Sequence, residues 1–272
     1  MTRTSQKTLL QAVSGDSSTP PPFIANGCLN APKEVSLPDL SRARDMRLLW
    51  LTTITYWIVA SILCCSFYPV MMSDTMARYA PMADHFASGD WFYSFHPRFG
   101  LIFQVLTGTV VYLTGLTGDK ATQVVSVLFV ALTAVPLWCI VEKIFDRKTA
   151  WWSVALLLVV DDYTRYAMDG LRDPGKCLAY ALMGYSVVFR KSSAAALGII
   201  ILSTLVTYGF AVSSLFLFCW FIYFAWKREW SKLLLPSLAW MLSTAAITVM
   251  VHAYTGWWTP VPHFIPVLEK WL

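Results

Sequence analysis

Charged residues are scarce in this sequence, and their scarcity excludes an ordinary soluble protein. Asp, Glu, Lys and Arg together make up 14% of the 272 residues, whereas hydrophobic residues make up 57%. Soluble domains carry roughly 25% charged and about 45–50% apolar residues. This balance predicts an integral membrane protein with several spans.

The sequence also lacks several signature motifs. It contains no Gly-x-Ser-x-Gly, no Walker-type loop and no His-Glu-x-x-His, so nothing indicates the chemistry of those motifs. The six cysteines show neither paired nor metal-type spacing. His252 and His263 have no second ligand at metal spacing. We therefore expect no metal and no other cofactor, with a requirement for a divalent ion left open.

Residues 1–45 contain many Ser, Thr and Pro residues and no apolar stretch long enough for a signal peptide. They predict a disordered cytoplasmic tail, followed by a membrane domain over residues 46–272. The net charge of +5 comes from basic residues in short clusters between apolar runs. Such clusters indicate membrane orientation, so we expect the lipid bilayer as a partner and no nucleic acid.

The apolar runs predict an all-α fold, a polytopic transmembrane helical bundle with about seven spans. A spanning helix needs about 20 apolar residues. The candidate runs are Leu48–Val70, Ala121–Phe145, Thr149–Tyr163, Lys176–Phe189, Ala194–Trp226 and Leu233–Tyr254. Because Ala194–Trp226 would be about 50 Å long as one helix, we expect a hairpin that turns near Tyr208-Gly209.

The run Phe99–Leu116 decides the topology. If it does not cross, the basic clusters all fall on one side, as the positive-inside rule requires; if it crosses, two of them are forced outside. We favour the first arrangement. It places the N-terminus in the cytoplasm and makes residues 71–120 an outer loop with interfacial helices. The protein would then be a multi-pass protein of a bacterial inner membrane or of the endoplasmic reticulum.

Asp74 ends the first apolar run and opens a loop that is rich in aromatic residues. A carboxylate where a helix leaves the bilayer suits an enzyme that takes a lipid-borne substrate. The alternative is a helix-end residue that bonds nearby backbone donors. Residues 149–160 give only about 18 Å of apolar helix, so Asp161 and Asp162 are expected below the outer surface, where carboxylates are candidates for function.

The loop residues resemble, in order, the first outer loop of polyprenyl-phosphate-sugar-dependent glycosyltransferases with the GT-C fold. Protein O-mannosyltransferases and the aminoarabinose transferase acting on lipid A are of this kind. The features are Asp74, Tyr79-Ala80, Gly89-Asp90-Trp91 and His96-Pro97, then a basic turn at Asp146-Arg147-Lys148 and a second acid at Asp173. The likeness covers roughly residues 48–226. It departs at Thr75, where many members have another acid, and at Arg98, where many have a second proline.

The resemblance implies that Asp74 and Asp173 are catalytic. Sugar transfer needs a carboxylate to take or orient the acceptor proton and cations to hold the leaving phosphate. The expected substrate-binding residues are Arg78, Tyr79, His96, Arg98, Asp162, Arg165 and Arg172. The donor would be a polyprenyl-phosphate-linked sugar and the acceptor a protein, lipid or glycan.

Two other functions remain open. In a transporter, the same acids would bind protons or a cationic substrate. A shortened, non-catalytic relative would bind only a lipid phosphate or a partner subunit.

Overall fold

A computed structural model describes residues 40–70, 72–96, 99–206 and 208–261. Arg98 and residues 1–39 of the predicted tail lie outside the described residues. Residues 40–45, which we placed in the tail, are helical instead, because the first helix begins at Leu40. Asp45 in this segment is buried and forms an ion pair with Arg147.

The described chain is all-α, as predicted. Its only backbone pairing of β type is one antiparallel bridge between His96 and Gly100. The elements are α1 (Leu40–Phe67), a π-helix (Thr75–Tyr79), α2 (Ala80–Ala87), α3 (Trp91–Ser94), α4 (Ile102–Thr114), α5 (Gly118–Ile144), α6 (Arg147–Val159), α7 (Asp161–Met168), α8 (Asp173–Phe189), α9 (Ser192–Leu205), α10 (Gly209–Trp226) and α11 (Ser231–Thr255).

Helices α1 and α5 run antiparallel. Arg42 at the start of α1 forms a 3.0 Å ion pair with Glu142 at the end of α5. At the opposite end, the side-chain amide of Gln123 donates to the Tyr68 carbonyl over 3.1 Å. The chain therefore leaves α1 and enters α5 at the same end, which we call the Asp74 end; the other is the Arg42 end. The segment between them, which contains α4, thus starts and ends at the same end of the bundle.

The later helices alternate between the two ends. Helix α6 begins at the Arg42 end, where Arg147 donates to the Ser41 carbonyl over 2.9 Å. Helix α8 begins at the Asp74 end, where the Ser126 hydroxyl donates to the Leu171 carbonyl over 2.6 Å. Helix α11 ends there too, since the Tyr254 hydroxyl donates to the Phe92 carbonyl. The predicted basic clusters thus lie at the Arg42 end, beside α1 and in the α5–α6, α8–α9 and α10–α11 connections.

Four described helices are long and apolar enough to cross a membrane, and they cover Ser41–Phe67, Gly118–Ile144, Gly209–Trp226 and Ser231–Thr255. Helices α6, α8 and α9 also run between the two ends but are shorter, at about 20–26 Å against a hydrocarbon core of about 30 Å. The predicted break near Tyr208-Gly209 is present, since α9 ends at Leu205 and α10 starts at Gly209.

Helix α5 forms the centre of the bundle. In its most apolar window 61% of the residues are buried, against 22% for α1 and α10. Trp138 and Phe129 of α5 lie in the core, and Phe129 packs in one cluster with residues of α8 and α9. The weakly buried α1 and α10 therefore form the outside of the bundle, and the connections at the Asp74 end are held against α5.

Candidate functional site

Asp74 lies just before the π-helix and pairs with Arg78. One carboxylate oxygen of Asp74 lies 2.9 Å from a guanidinium nitrogen of Arg78, and both side chains are about half exposed. Asp74 makes no capping hydrogen bond through its side chain. The alternative role as a helix cap is therefore not what the geometry shows. Short π-helical segments occur frequently at functional sites, where they redirect side chains.

Thr75 anchors the π-helix to the connection between α7 and α8. Its side chain is fully buried, and its hydroxyl donates to the Asp169 carbonyl over 2.6 Å. A second carboxylate at this position would be buried against a carbonyl oxygen. Thr75 is therefore a structural anchor that supports the neighbouring Asp74 from within the fold.

We expect Thr75→Val to destabilise the protein by about 1–2 kcal/mol, because it leaves the buried Asp169 carbonyl without this donor. Thermal unfolding in detergent would measure the loss. Thr109→Val is the matched control, since the Thr109 hydroxyl bonds to a carbonyl of its own helix. Equal stability of the two variants would show that Thr75 does not anchor the π-helix.

The ring of Phe99 is surrounded by four side chains that the sequence singled out. The guanidinium carbon of Arg78 lies 5.0 Å from the ring centre, and that of Arg172 lies 5.9 Å from it. The ring of His96 is 4.8 Å away, and the ring of Tyr79 is 5.9 Å away in an edge-on arrangement. Cations over an aromatic face are attracted by its quadrupole, so Phe99 holds both arginines near one point.

Arg172 connects this group to α9. It donates to the Leu205 carbonyl over 3.1 Å, and its guanidinium carbon lies 5.7 Å from the Tyr79 ring centre. Burial raises the pKa of the Tyr79 hydroxyl; the charge of Arg172 lowers it, and Asp74 and Asp173 raise it further. The Tyr79 hydroxyl therefore stays neutral at physiological pH.

Asp173 opens α8 and pairs with Lys176 one turn later. Pro174 suits the first turn of the helix, where its missing N–H costs nothing. The ammonium of Lys176 also lies 5.3 Å from the ring centre of Tyr208. Sequence reasoning missed Lys176, although the three-residue spacing from Asp173 on a helix would have placed both on one face.

We call this group of side chains the Phe99 cluster. Its members are Asp74, Arg78, Tyr79, His96, Phe99, Arg172, Asp173 and Lys176. Three cations outnumber two carboxylates, so the cluster favours an anionic group such as a phosphate. Six of its members were predicted site residues, whereas Phe99 had been counted only as the start of an apolar run.

Asp162 and Arg165 lie elsewhere. Asp162 is exposed on α7. Arg165 lines a cavity of about 270 Å³ together with Tyr68 and Asp161. None of the residues around this cavity belongs to the Phe99 cluster, so Asp161 and Arg165 do not share one cavity with Asp74, as we had expected. They lie on the separate helix α7, which follows the end of α6 at Val159.

Within the described ranges, no group of three or more His, Cys, Asp and Glu side chains could hold a metal ion. Comparisons with protein-family models, with curated proteins and with solved structures find no match for this chain.

Proposed function

We propose that the protein is a membrane glycosyltransferase that moves a sugar from a polyprenyl-phosphate donor to an acceptor on the non-cytosolic face. One observation carries the proposal. The guanidinium groups of Arg78 and Arg172 lie 5.0 and 5.9 Å from the centre of one ring, that of Phe99. Arg78 is paired with Asp74, and the residue after Arg172 is Asp173, which is paired with Lys176. A carboxylate beside several cations is the minimum that this transfer requires.

The proposed orientation of the protein in the membrane rests on the positions of the basic clusters. With the basic clusters in the cytosol, the Arg42 end is cytosolic and the Phe99 cluster faces the other side. In this proposal the seven helices α1, α5, α6 and α8–α11 all cross in a GT-C-like arrangement. The shorter ones do so by local thinning of the bilayer or through flanking polar residues.

The proposed reaction is a direct displacement that inverts the anomeric carbon. The acceptor atom attacks this carbon, and the bond from the carbon to the donor phosphate oxygen breaks. The electron pair stays on that oxygen, so polyprenyl phosphate leaves with an additional negative charge, which Arg78, Arg172 and Lys176 stabilise. The acceptor proton passes to Asp74. Binding of the phosphate draws Arg78 away from Asp74, which leaves the carboxylate free to accept the proton.

The proposal is tested with purified protein in detergent and a panel of polyprenyl-phosphate-linked hexoses and pentoses. We expect at least one donor to release polyprenyl phosphate when protein, lipid and glycan acceptors from the native membrane are present. If no member of the panel is turned over, but polyprenyl phosphate binds in a manner that depends on Arg172, the function is binding without catalysis. The 2.9 Å pair between Asp74 and Arg78 favours this second candidate, because the carboxylate contacts a cation of the protein instead of an acceptor.

Arg172→Ala is expected to weaken binding of the donor by about tenfold or more, because it removes a charged hydrogen-bond donor from the phosphate site. The quantity to measure is KM for the donor, or Kd for the donor if there is no turnover. Arg190→Ala serves as the control, since Arg190 follows α8 at the Arg42 end. If both variants bind the donor like the wild type, Arg172 does not contact the phosphate.

A further inference from the structure

An apolar groove of about 680 Å³ lies between α1 and the junction of α6 and α7. Leu51, Val59 and Leu63 of α1 form one wall, and Leu158 and Met168 form the other. The α1 residues of this wall are about half exposed or more. From Leu48 to Leu63 the groove follows α1 for about 22 Å, from the rise of 1.5 Å per residue. Its size and lining suit a long hydrocarbon chain.

The groove ends in the cavity that contains Asp161 and Arg165. Leu158, Thr164 and Met168 line both spaces, so the two are continuous. The cavity lies at the Asp74 end, because Tyr68 after the end of α1 also lines it. The apolar groove therefore leads to the carboxylate of Asp161 and the guanidinium of Arg165 at the Asp74 end of the bundle.

Asp161 and Arg165 do not neutralise each other. They are four residues apart on α7, the spacing at which Asp74 and Arg78 form a 2.9 Å pair. Within the described part of the chain, however, neither forms an ion pair. Both charges are thus available to a ligand, and they line the same cavity. A ligand with one anionic and one cationic group would satisfy both.

We propose that the groove and the cavity bind a membrane phospholipid with a phosphate–ethanolamine headgroup. An acyl chain lies in the groove, the phosphate contacts Arg165, and the primary ammonium donates to Asp161. A purely anionic lipid would satisfy Arg165 but would place its phosphate beside the Asp161 carboxylate, which costs energy. A choline headgroup has no N–H to donate. This site is separate from the Phe99 cluster and does not depend on the proposed sugar transfer.

The test uses delipidated full-length protein in detergent and native mass spectrometry. Phosphatidylethanolamine, phosphatidylcholine and phosphatidylglycerol with identical chains are added at equal concentration. We expect phosphatidylethanolamine to be retained best. Arg165→Gln should lower its retention about three- to tenfold, and Asp161→Asn should do the same and abolish the preference over phosphatidylcholine. Lys148→Gln at the Arg42 end is the charge control and should change nothing.

A second variant tests the groove without altering charge. Val59→Trp fills it from its exposed side and should weaken binding of the same lipid, whereas Leu242→Trp, at an exposed position on α11, should not. Equal retention of the three lipids would overturn the proposal, and so would unchanged binding in Val59→Trp. Displacement of phosphatidylethanolamine by a lower concentration of polyprenyl phosphate would also overturn it, since the groove would then belong to the donor.

Discussion

Asp74→Asn is expected to abolish sugar transfer, with a loss of about 10²–10⁴-fold in kcat, while the protein still inserts and folds. General base catalysis contributes a factor of this size, and an amide cannot accept the acceptor proton. The substitution keeps the shape of the side chain. Because Asp74 is about half exposed and its pair with Arg78 lies at the surface, the stability should change little.

The measurement is single-turnover release of polyprenyl phosphate by the variant and the wild type at saturating donor. Asp119→Asn is the matched control, since Asp119 also lies at the Asp74 end but contacts the Thr117 hydroxyl instead of the Phe99 cluster. If Asp74→Asn retains wild-type kcat, Asp74 is not the base. A selective loss of donor affinity would make Asp74 a residue that positions Arg78.

Gly100→Ala is expected to destabilise the protein by about 2–5 kcal/mol, from backbone strain and overpacking together. Gly100 has a φ of +82°, in the region that favours glycine, and a Cβ there would overlap the carbonyl oxygen of Leu205. This carbonyl accepts the hydrogen bond from Arg172. The variant should therefore also bind the donor more weakly than the wild type.

Gly115→Ala separates the two contributions. Gly115 has a φ of +70°, but a Cβ there would meet nothing within 4 Å. It should lose only about 1–2 kcal/mol, from the strained backbone alone. Thermal unfolding of both variants in one detergent gives the comparison. Equal losses would mean that the approach of Gly100 to α9 does not constrain the position of Arg172.

The sequence predicted that Asp74 and Asp173 lie at the same end of the bundle, because counting the spans between them assigns each connection to an end. If the run 99–116 does not cross, α1 and α5 must be antiparallel. The later basic clusters then predict which connections between helices lie at the cytosolic end. The Arg42–Glu142 pair shows this arrangement in the structure. The break before Gly209 was predictable for a related reason, since a run that is too long for one crossing must turn.

Sequence reasoning missed Phe99 of the Phe99 cluster because its role depends on contacts with residues that are distant in the sequence. Phe99 appears as one more apolar residue in the sequence, yet its ring collects two arginines and a histidine. Arg165 was predicted as a cation that holds the leaving phosphate. It lies instead on the separate helix α7, after the end of α6 at Val159, and lines a cavity away from the Phe99 cluster. No periodicity in the sequence indicates the break between α6 and α7.

The most direct test measures the distance between Asp74 and Asp173 by spin labelling of an Asp74→Cys, Asp173→Cys variant without the natural cysteines, in lipid nanodiscs. A second variant with Asp74→Cys and Lys191→Cys gives the reference, because Lys191 lies at the Arg42 end. We expect the Asp74–Asp173 distance to be far shorter than the reference, which should reach the thickness of the hydrocarbon core, about 30 Å. An Asp74–Asp173 distance as long as the reference would contradict the convergence of the two acids and, with it, the proposed site.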